Sequence, residues 1–264
     1  MNDNLFEHKS AVYPEDCKFI ISPSRLASFF SDPGDWFRSE VLKEKQFLGN
    51  TASLIGTLCH AVYEAVTKNE PVDRQQLNHQ LAVFLNENPE VANQADYAEI
   101  VSTYPNVVNV VVNEFVLPRN KIYSDVTVES SMYTKVHYDG IYLGGTIDRL
   151  EKSQNIINII DYKTVNRKPS DGSIPLGYKL QLLSYAYILR TNNIQLNPGS
   201  TISIVYGIKP TKTLPARCIC QTEIITDEHW QLIEDTINLV CDTMLCYWQK
   251  PYMDYLLFKD YSLR

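Results

Sequence analysis

Up to about residue 116 the apolar positions recur every three or four residues, and from about residue 125 they alternate. Leu54, Leu58, Ala61, Val62 and Ala65 share one helical face and predict a helix over 51–68. An earlier helix is expected from Ser22, with Pro23 at its first position, stopping near Asp32-Pro33-Gly34-Asp35. A short helix over 36–42 and two longer ones over 74–85 and 95–115 follow, the last with a candidate break at Tyr104-Pro105. Residues 1–20 read as a loosely held arm.

In the alternating half, 126–134, 141–150 and 156–164 read as three consecutive strands, with Asp139-Gly140 a hairpin turn between the first two. A helix over 178–190, strands over 201–208 and 219–225, and a helix from Thr226 or Asp227 to about Gln249 complete the pattern. The fold class expected is α/β (α+β), a mixed central sheet flanked by helices behind a helical N-terminal portion. Residues 1–264 are expected to form a single domain: the arm, a helical portion over 20–116, a sheet core over 125–225 and a C-terminal helix over 226–249.

The second and third strands carry charged residues among their isoleucines. If Lys152-Ser153-Gln154-Asn155 forms a four-residue turn, Glu151 faces Ile156 and Asp148 faces Ile159. Alternation then sets Asp161 and Lys163 on the same side as Asp148. A turn at Asp139-Gly140 pairs Tyr138 with Ile141, hence Ser131 with Asp148, which adds Glu129 to that side. A slip of one residue in either register would undo the arrangement.

Composition narrows the class. The chain has 264 residues, 44% hydrophobic and 21% charged, as in an ordinary globular protein. No run approaches 18 apolar residues and the N-terminus has no signal-peptide pattern, so neither a membrane span nor export is expected. The net charge of −7 is the wrong sign for broad contact with phosphates. It fits a nucleic-acid enzyme only if carboxylates gather around a cation and basic contacts are local. Six scattered cysteines read as free thiols of a cytoplasmic protein.

Carboxylates about 5 Å apart repel by roughly 3 kcal/mol at an effective dielectric near 20, so such a cluster needs a proton, a cation or a lysine. Oxygen ligands suit Mg²⁺ or Mn²⁺. A lysine beside them could orient an attacking water and offset transition-state charge. Taken alone, Asp161-Tyr162-Lys163 reads as a structural salt bridge; preceded by Gly144-Gly145-Thr146-Ile147-Asp148 it reads as a metal site. His60 shares a helix face with Gly56 and Glu64, and Gln181 shares one with Tyr185. Each of these alone reads as ordinary surface or core.

Together, Gly56-x-x-x-His60, Glu129, GTID ending at Asp148, IIDYKT with Asp161 and Lys163, and LQLLSYAYIL with Gln181 and Tyr185 resemble the PD-(D/E)XK nuclease superfamily. The pattern is most similar to its RecB-like branch, and ISPSRLASFF resembles the first helix of that branch and of RecE-type phage recombination exonucleases. The resemblance implies a restriction-endonuclease-like fold and one or two Mg²⁺ or Mn²⁺ ions. It implies Asp148, Asp161, the Tyr162 carbonyl and His60 as metal ligands, and Glu129 as a direct or water-mediated one. Lys163 would position the water; Gln181 and Tyr185 would support the site and touch the DNA backbone.

Several members of that branch carry an iron–sulfur cluster. Here Asp32 precedes Pro33, the C-terminal residues 249–264 hold no cysteine, and Cys218, Cys220, Cys241 and Cys246 lack the spacing. Neither a cluster nor a zinc site is expected. Candidate DNA contacts are Arg25, Arg167, Lys168, Lys179, Lys209, Lys212 and Arg217; solvated loop charge is the alternative for each. The expected function is a metal-dependent DNA exonuclease of recombination, repair or replication, in a bacterial or phage-infected cytoplasm, alone or with a recombination or replication protein. A structure-specific endonuclease on the same residues, and a non-cleaving DNA-binding or assembly protein, are the alternatives.

Overall fold

A computed structural model of the chain describes residues 14–42, 49–136, 140–154, 156–167, 169–170 and 172–249. Within them a six-stranded mixed sheet is covered by helices on both faces. The strands are β1 (Phe19–Ile21), β2 (Asp125–Lys135), β3 (Ile141–Ser153), β4 (Ile156–Val165), β5 (Thr201–Ile208) and β6 (Arg217–Ile224). The helices are α1 (Leu26–Ser31), α2 (Pro33–Trp36), α3 (Thr51–Thr67), α4 (Arg74–Glu87), α5 (Pro89–Ala92), α6 (Tyr97–Val111), α7 (Leu117–Ile122), α8 (Leu176–Thr191) and α9 (Asp227–Gln249).

Strand alternation divides the core in two. On one face Ile147, Ile157, Ile159, Ile202 and Ile204 pack with α1, α8 and α9. On the other, Ile160, Tyr162 and Val205 pack with α3, α4 and α6. Helix α8 is buried along most of its length, from Leu180 to Leu189, which explains why it reads as almost uniformly apolar. Gly207 lets α6 approach β5: a Cβ there would stand 2.5 Å from Val107 Cγ1.

The structure refines these local expectations. Phe19–Ile21, placed in the arm, is a strand parallel to β3, with Ile20 opposite Tyr142. The stretch before it is also tied down, since Asp16 accepts the Tyr142 hydroxyl at 2.8 Å. α1 stops at Ser31, beside the expected breaker, and Pro33 then starts α2, which Asp32 caps by accepting the Asp35 N–H at 2.8 Å. Pro105 does not break α6, because Tyr104, Val107, Val108 and Val111 are buried around it and tertiary packing outweighs local preference. Together with the π-helical segment Val112–Val116 and α7, α6 forms a 26-residue run, Tyr97–Ile122. That run is long and apolar enough to cross a membrane by length and composition alone, and its apolar face lies in the second core.

Both strand registers differ from expectation by two residues. Leu150, not Asp148, faces Ile159, and Glu151 faces Asn158, because Ser153 pairs with Ile156 and the turn holds only two residues. Gln154 in that turn adopts φ +47°, the left-handed conformation that tight hairpins require. Ser131 faces Thr146 rather than Asp148. The proposed Asp139-Gly140 turn and its Tyr138 partner lie outside the described residues except for Gly140. A slip of two residues, unlike a slip of one, preserves alternation.

Candidate active site

The β3–β4 ladder ends at the pair Arg149–Ile160. Farther along β3, Ile141, Tyr142 and Leu143 pair with β1. Residues 144–148 of β3 therefore run between β4 and β1 with β2 as their paired neighbour. Asp148 is the first residue past the ladder, and its Oδ2 accepts the Tyr162 backbone N–H at 2.8 Å. The side chain thus satisfies a backbone donor at the point where the strands part. Gly145 admits two neighbours here: a Cβ on it would meet Pro23 Cδ at 3.0 Å and Tyr185 Cε1 at 3.2 Å.

Helix α3 brings His60 to this fork. Its Nε2 donates to the Tyr162 carbonyl at 3.1 Å. Its Nδ1 lies 3.5 Å from Asp148 Oδ1 and 3.9 Å from Glu129 Oε1. Burial opposes a charge on His60, but Asp148 and Glu129 outweigh it and raise its pKa well above the usual value. For Asp148 burial is likewise outweighed, by His60, Lys163 and the Tyr162 N–H, and its carboxyl is held below the ordinary range. Glu129 is raised by its burial, with His60 opposing.

Glu129 has φ +48°, a left-handed conformation in the middle of a strand. A non-glycine residue there costs on the order of 1–3 kcal/mol, and such strain collects at functional sites. The β2–β3 pairing passes from Val128–Arg149 to Ser130–Ile147 across it.

Asp161 belongs to the α8 side of the fork. Its Oδ1 accepts the Gln181 Nε2–H at 2.7 Å, and the same amide nitrogen lies 3.2 Å from the Tyr185 hydroxyl. Its Oδ2 is 2.7 Å from Lys163 Nζ, a buried ion pair. Burial and the Asp148 charge push the Asp161 carboxyl up to about 7, against Lys163. Lys163 in turn is raised by Asp161 and Asp148 despite burial. Its ammonium also sits 5.5 Å from the centre of the Tyr178 ring, a contact the sequence reading did not single out.

The donor set fits a hard divalent cation. Ligand atoms of His60, Glu129 and Asp148 all lie within 4.8 Å of one another. Asp161 falls outside that set, its Oδ2 paired with Lys163, and the Tyr162 carbonyl lies in contact with His60. Carboxylate and carbonyl oxygens with one imidazole form a donor set for a divalent metal ion. The six cysteines are free thiols divided among buried and exposed positions.

The candidate DNA cations are less concentrated. Lys179 does not open α8, which starts at Leu176; it pairs with Glu223 Oε2 at 2.9 Å, and the Ile174 N–H donates to the other oxygen at 2.6 Å. Lys209 Nζ lies 4.0 Å from Glu99 with its side chain 11% exposed, and Arg25 lies 3.6 Å from Glu40. Arg167 and Lys212 are exposed, Arg217 is the first residue of β6 rather than a loop residue, and Lys168 lies outside the described residues.

The sequence reading also passed over Arg149 and Glu151, both fully buried and joined at 2.8 Å. Two opposite charges at alternate positions of a strand that also carries the apolar residues Ile147 and Leu150 were the available signal.

The chain is 24% identical over 199 residues to a subunit of the ATP-dependent helicase/deoxyribonuclease of Streptococcus suis, covering 70% of this chain and 18% of that protein. The corresponding protein of Lactococcus lactis subsp. cremoris is 23% identical over 188 residues, 66% of this chain and 17% of its own length. The chain thus spans less than a fifth of the curated relatives it matches. Its fold is similar to that of a candidate exonuclease from Eubacterium rectale, with a TM-score of 0.54 at 16% identity over 86% of this chain and 79% of that one. The family model of the PD-(D/E)XK nucleases matches residues 20–252, and the chain belongs to the PD-(D/E)XK nuclease superfamily.

Proposed function

We propose that this chain is a metal-dependent deoxyribonuclease, working as an exonuclease from a single nuclease domain. The observation that carries the reading is the meeting of His60, Glu129 and Asp148 at one fork with the Asp161–Lys163 pair. A divalent cation bound there, Mg²⁺ or Mn²⁺, would supply Lewis acidity toward a phosphodiester. His60, Glu129, Asp148, Asp161 and the Tyr162 carbonyl would hold it.

The chain's own groups account for the remaining needs of the reaction. Lys163, kept cationic by the two aspartates, orients the attacking water and offsets charge that builds on the phosphoryl oxygens. Gln181 fixes the Asp161 rotamer, and the buried Tyr185 hydroxyl beside it supports that amide. Exposed Arg167, Lys212 and Arg217 are the candidate cations for DNA phosphates. The names of the bacterial relatives support DNA as the substrate and a partner protein as company. We place the activity in DNA end processing during recombination, repair or replication.

The test is digestion of matched linear and covalently closed circular DNA with Mg²⁺ or Mn²⁺. An exonuclease degrades the linear form and leaves the circle intact. Cutting of the circle at a comparable rate assigns an endonuclease instead.

A further inference from the structure

The α3 side of the site-bearing strands, opposite Asp161 and Lys163, carries a charge network with no place in the chemistry described so far. Arg149, directly after Asp148, is fully buried. Its Nε donates to Glu151 Oε1 at 2.8 Å; its Nη1 donates to Thr67 Oγ1 at 3.0 Å and to Asn120 Oδ1 at 2.9 Å. Glu151, also fully buried, takes a second guanidinium: Arg119 Nε is 3.1 Å from each of its oxygens, and Arg119 Nη2 pairs with Oε2. Asn158 on β4 reaches Glu151 Oε2 at 3.3 Å and accepts the Thr201 hydroxyl of β5 at 2.8 Å. One buried cluster therefore ties α3 and α7 to β3, β4 and β5.

The attachment to α3 is specific. Thr67 lies seven residues after His60, two helical turns and about 10 Å along the same face. Asn120 Nδ2 also donates to the Val66 carbonyl at 3.4 Å, so Arg149 grips the end of α3 both directly and through Asn120. The other end of this lever is the His60 imidazole, 3.1 Å from the Tyr162 carbonyl and 3.5 Å from Asp148. Tyr162 is held from the same side, its ring 4.6 Å from that of Tyr63 on α3. Buried charges are costly, and well-packed apolar residues would fill such a space at less cost. What the guanidinium provides and they would not is a directional link between three elements.

We infer that Arg149 is a positioning residue: from the α3 face of the sheet it sets the height and rotation of α3, and so holds His60 against Asp148 and the Tyr162 carbonyl. The inference rests on the metal-centre reading of the site.

The experiment measures Mn²⁺ affinity of metal-stripped protein by calorimetry, with thermal midpoints alongside, for the wild type, Thr67→Val and Arg149→Met. Thr67→Val keeps the volume and removes one bond to the guanidinium. Both variants are expected to bind Mn²⁺ more weakly, Arg149→Met by about 10-fold or more and Thr67→Val by a smaller factor with its midpoint nearly unchanged. Should Arg149→Met not fold, Thr67→Val decides. Unaltered Mn²⁺ affinity in the folded variants overturns the positioning role alone. A wild type that binds no Mn²⁺ removes the metal reading, and this inference with it.

Discussion

Asp148 Oδ2 accepts the Tyr162 backbone N–H at 2.8 Å, while the Tyr162 carbonyl accepts from His60 at 3.1 Å. The backbone of one residue is thereby held from both sides, by β3 and by α3, where the β3–β4 ladder ends. Removing the carboxylate leaves a backbone donor unpaired and takes away a proposed ligand. Asp148→Ala is expected to lose roughly 1–3 kcal/mol of stability and most of its Mn²⁺ binding. A denaturant melt and a metal titration on one preparation check both effects. Retention of full Mn²⁺ affinity would remove Asp148 from the ligand set.

Lys163 lies 2.7 Å from Asp161 and outside the proposed ligands. Its loss should act on turnover rather than on metal binding. Lys163→Met is expected to cut kcat by on the order of 100-fold or more, with Mn²⁺ affinity changed far less. Paired losses in both quantities would make the lysine a structural counter-ion instead.

The metal-free site has a defined pH response. Asp161 titrates near 7 when folded against an ordinary value of 3.8, so the folded state binds more protons between those values. Its contribution to stability is full below 3.8 and is lost as pH rises toward 7. His60, also raised, continues the decline above 6.5, while Asp148, lowered, works the opposite way at the acid end. The thermal midpoint of metal-stripped protein should therefore fall from pH 5 to pH 7.5 relative to Asp161→Asn. Saturating Mn²⁺, which favours the ionised carboxylates, should flatten the difference. Parallel pH curves for the two metal-stripped proteins would refute this titration.

Gly207 leaves no room beside α6, since a Cβ would meet Val107 Cγ1 at 2.5 Å. Gly207→Ala is expected to destabilise by about 1–3 kcal/mol, read as a lower urea midpoint. Pairing it with Val107→Ala should recover part of the loss; no recovery would place the strain elsewhere.

The exposed cations Arg167 and Lys212 give a prediction on substrate binding. Each charge removed should lower the slope of log affinity against log salt by about 1. Lys209, 4.0 Å from Glu99 and little exposed, should contribute less than Lys212 when changed to Gln. Equal slopes for the wild type and an Arg167→Gln, Lys212→Gln double variant would move the DNA path away from both residues.

Much of this site was legible in the chain itself. Alternation through Ile159, Asp161 and Lys163, and helical spacing of Gln181 with Tyr185, need only local geometry, and both motifs lie on the expected strand and helix. The register was less legible, because it depends on turn shape: Gln154 in the left-handed region shortens the loop and shifts each pairing by two. Strand β1 is three residues long and exists only through its parallel partner β3. The unbroken helix through Pro105 and the Arg149–Glu151 cluster are tertiary facts, visible only once Val107 meets Gly207 and Thr67 meets Arg149.

The most direct test of the central claim is release of label from end-labelled DNA by wild type and by folded Asp161→Ala, each with Mn²⁺ and with EDTA. The wild type is expected to degrade the DNA only with Mn²⁺, and Asp161→Ala to leave it intact. Degradation in EDTA, or undiminished degradation by Asp161→Ala, would contradict a metal-dependent nuclease centre at this fork.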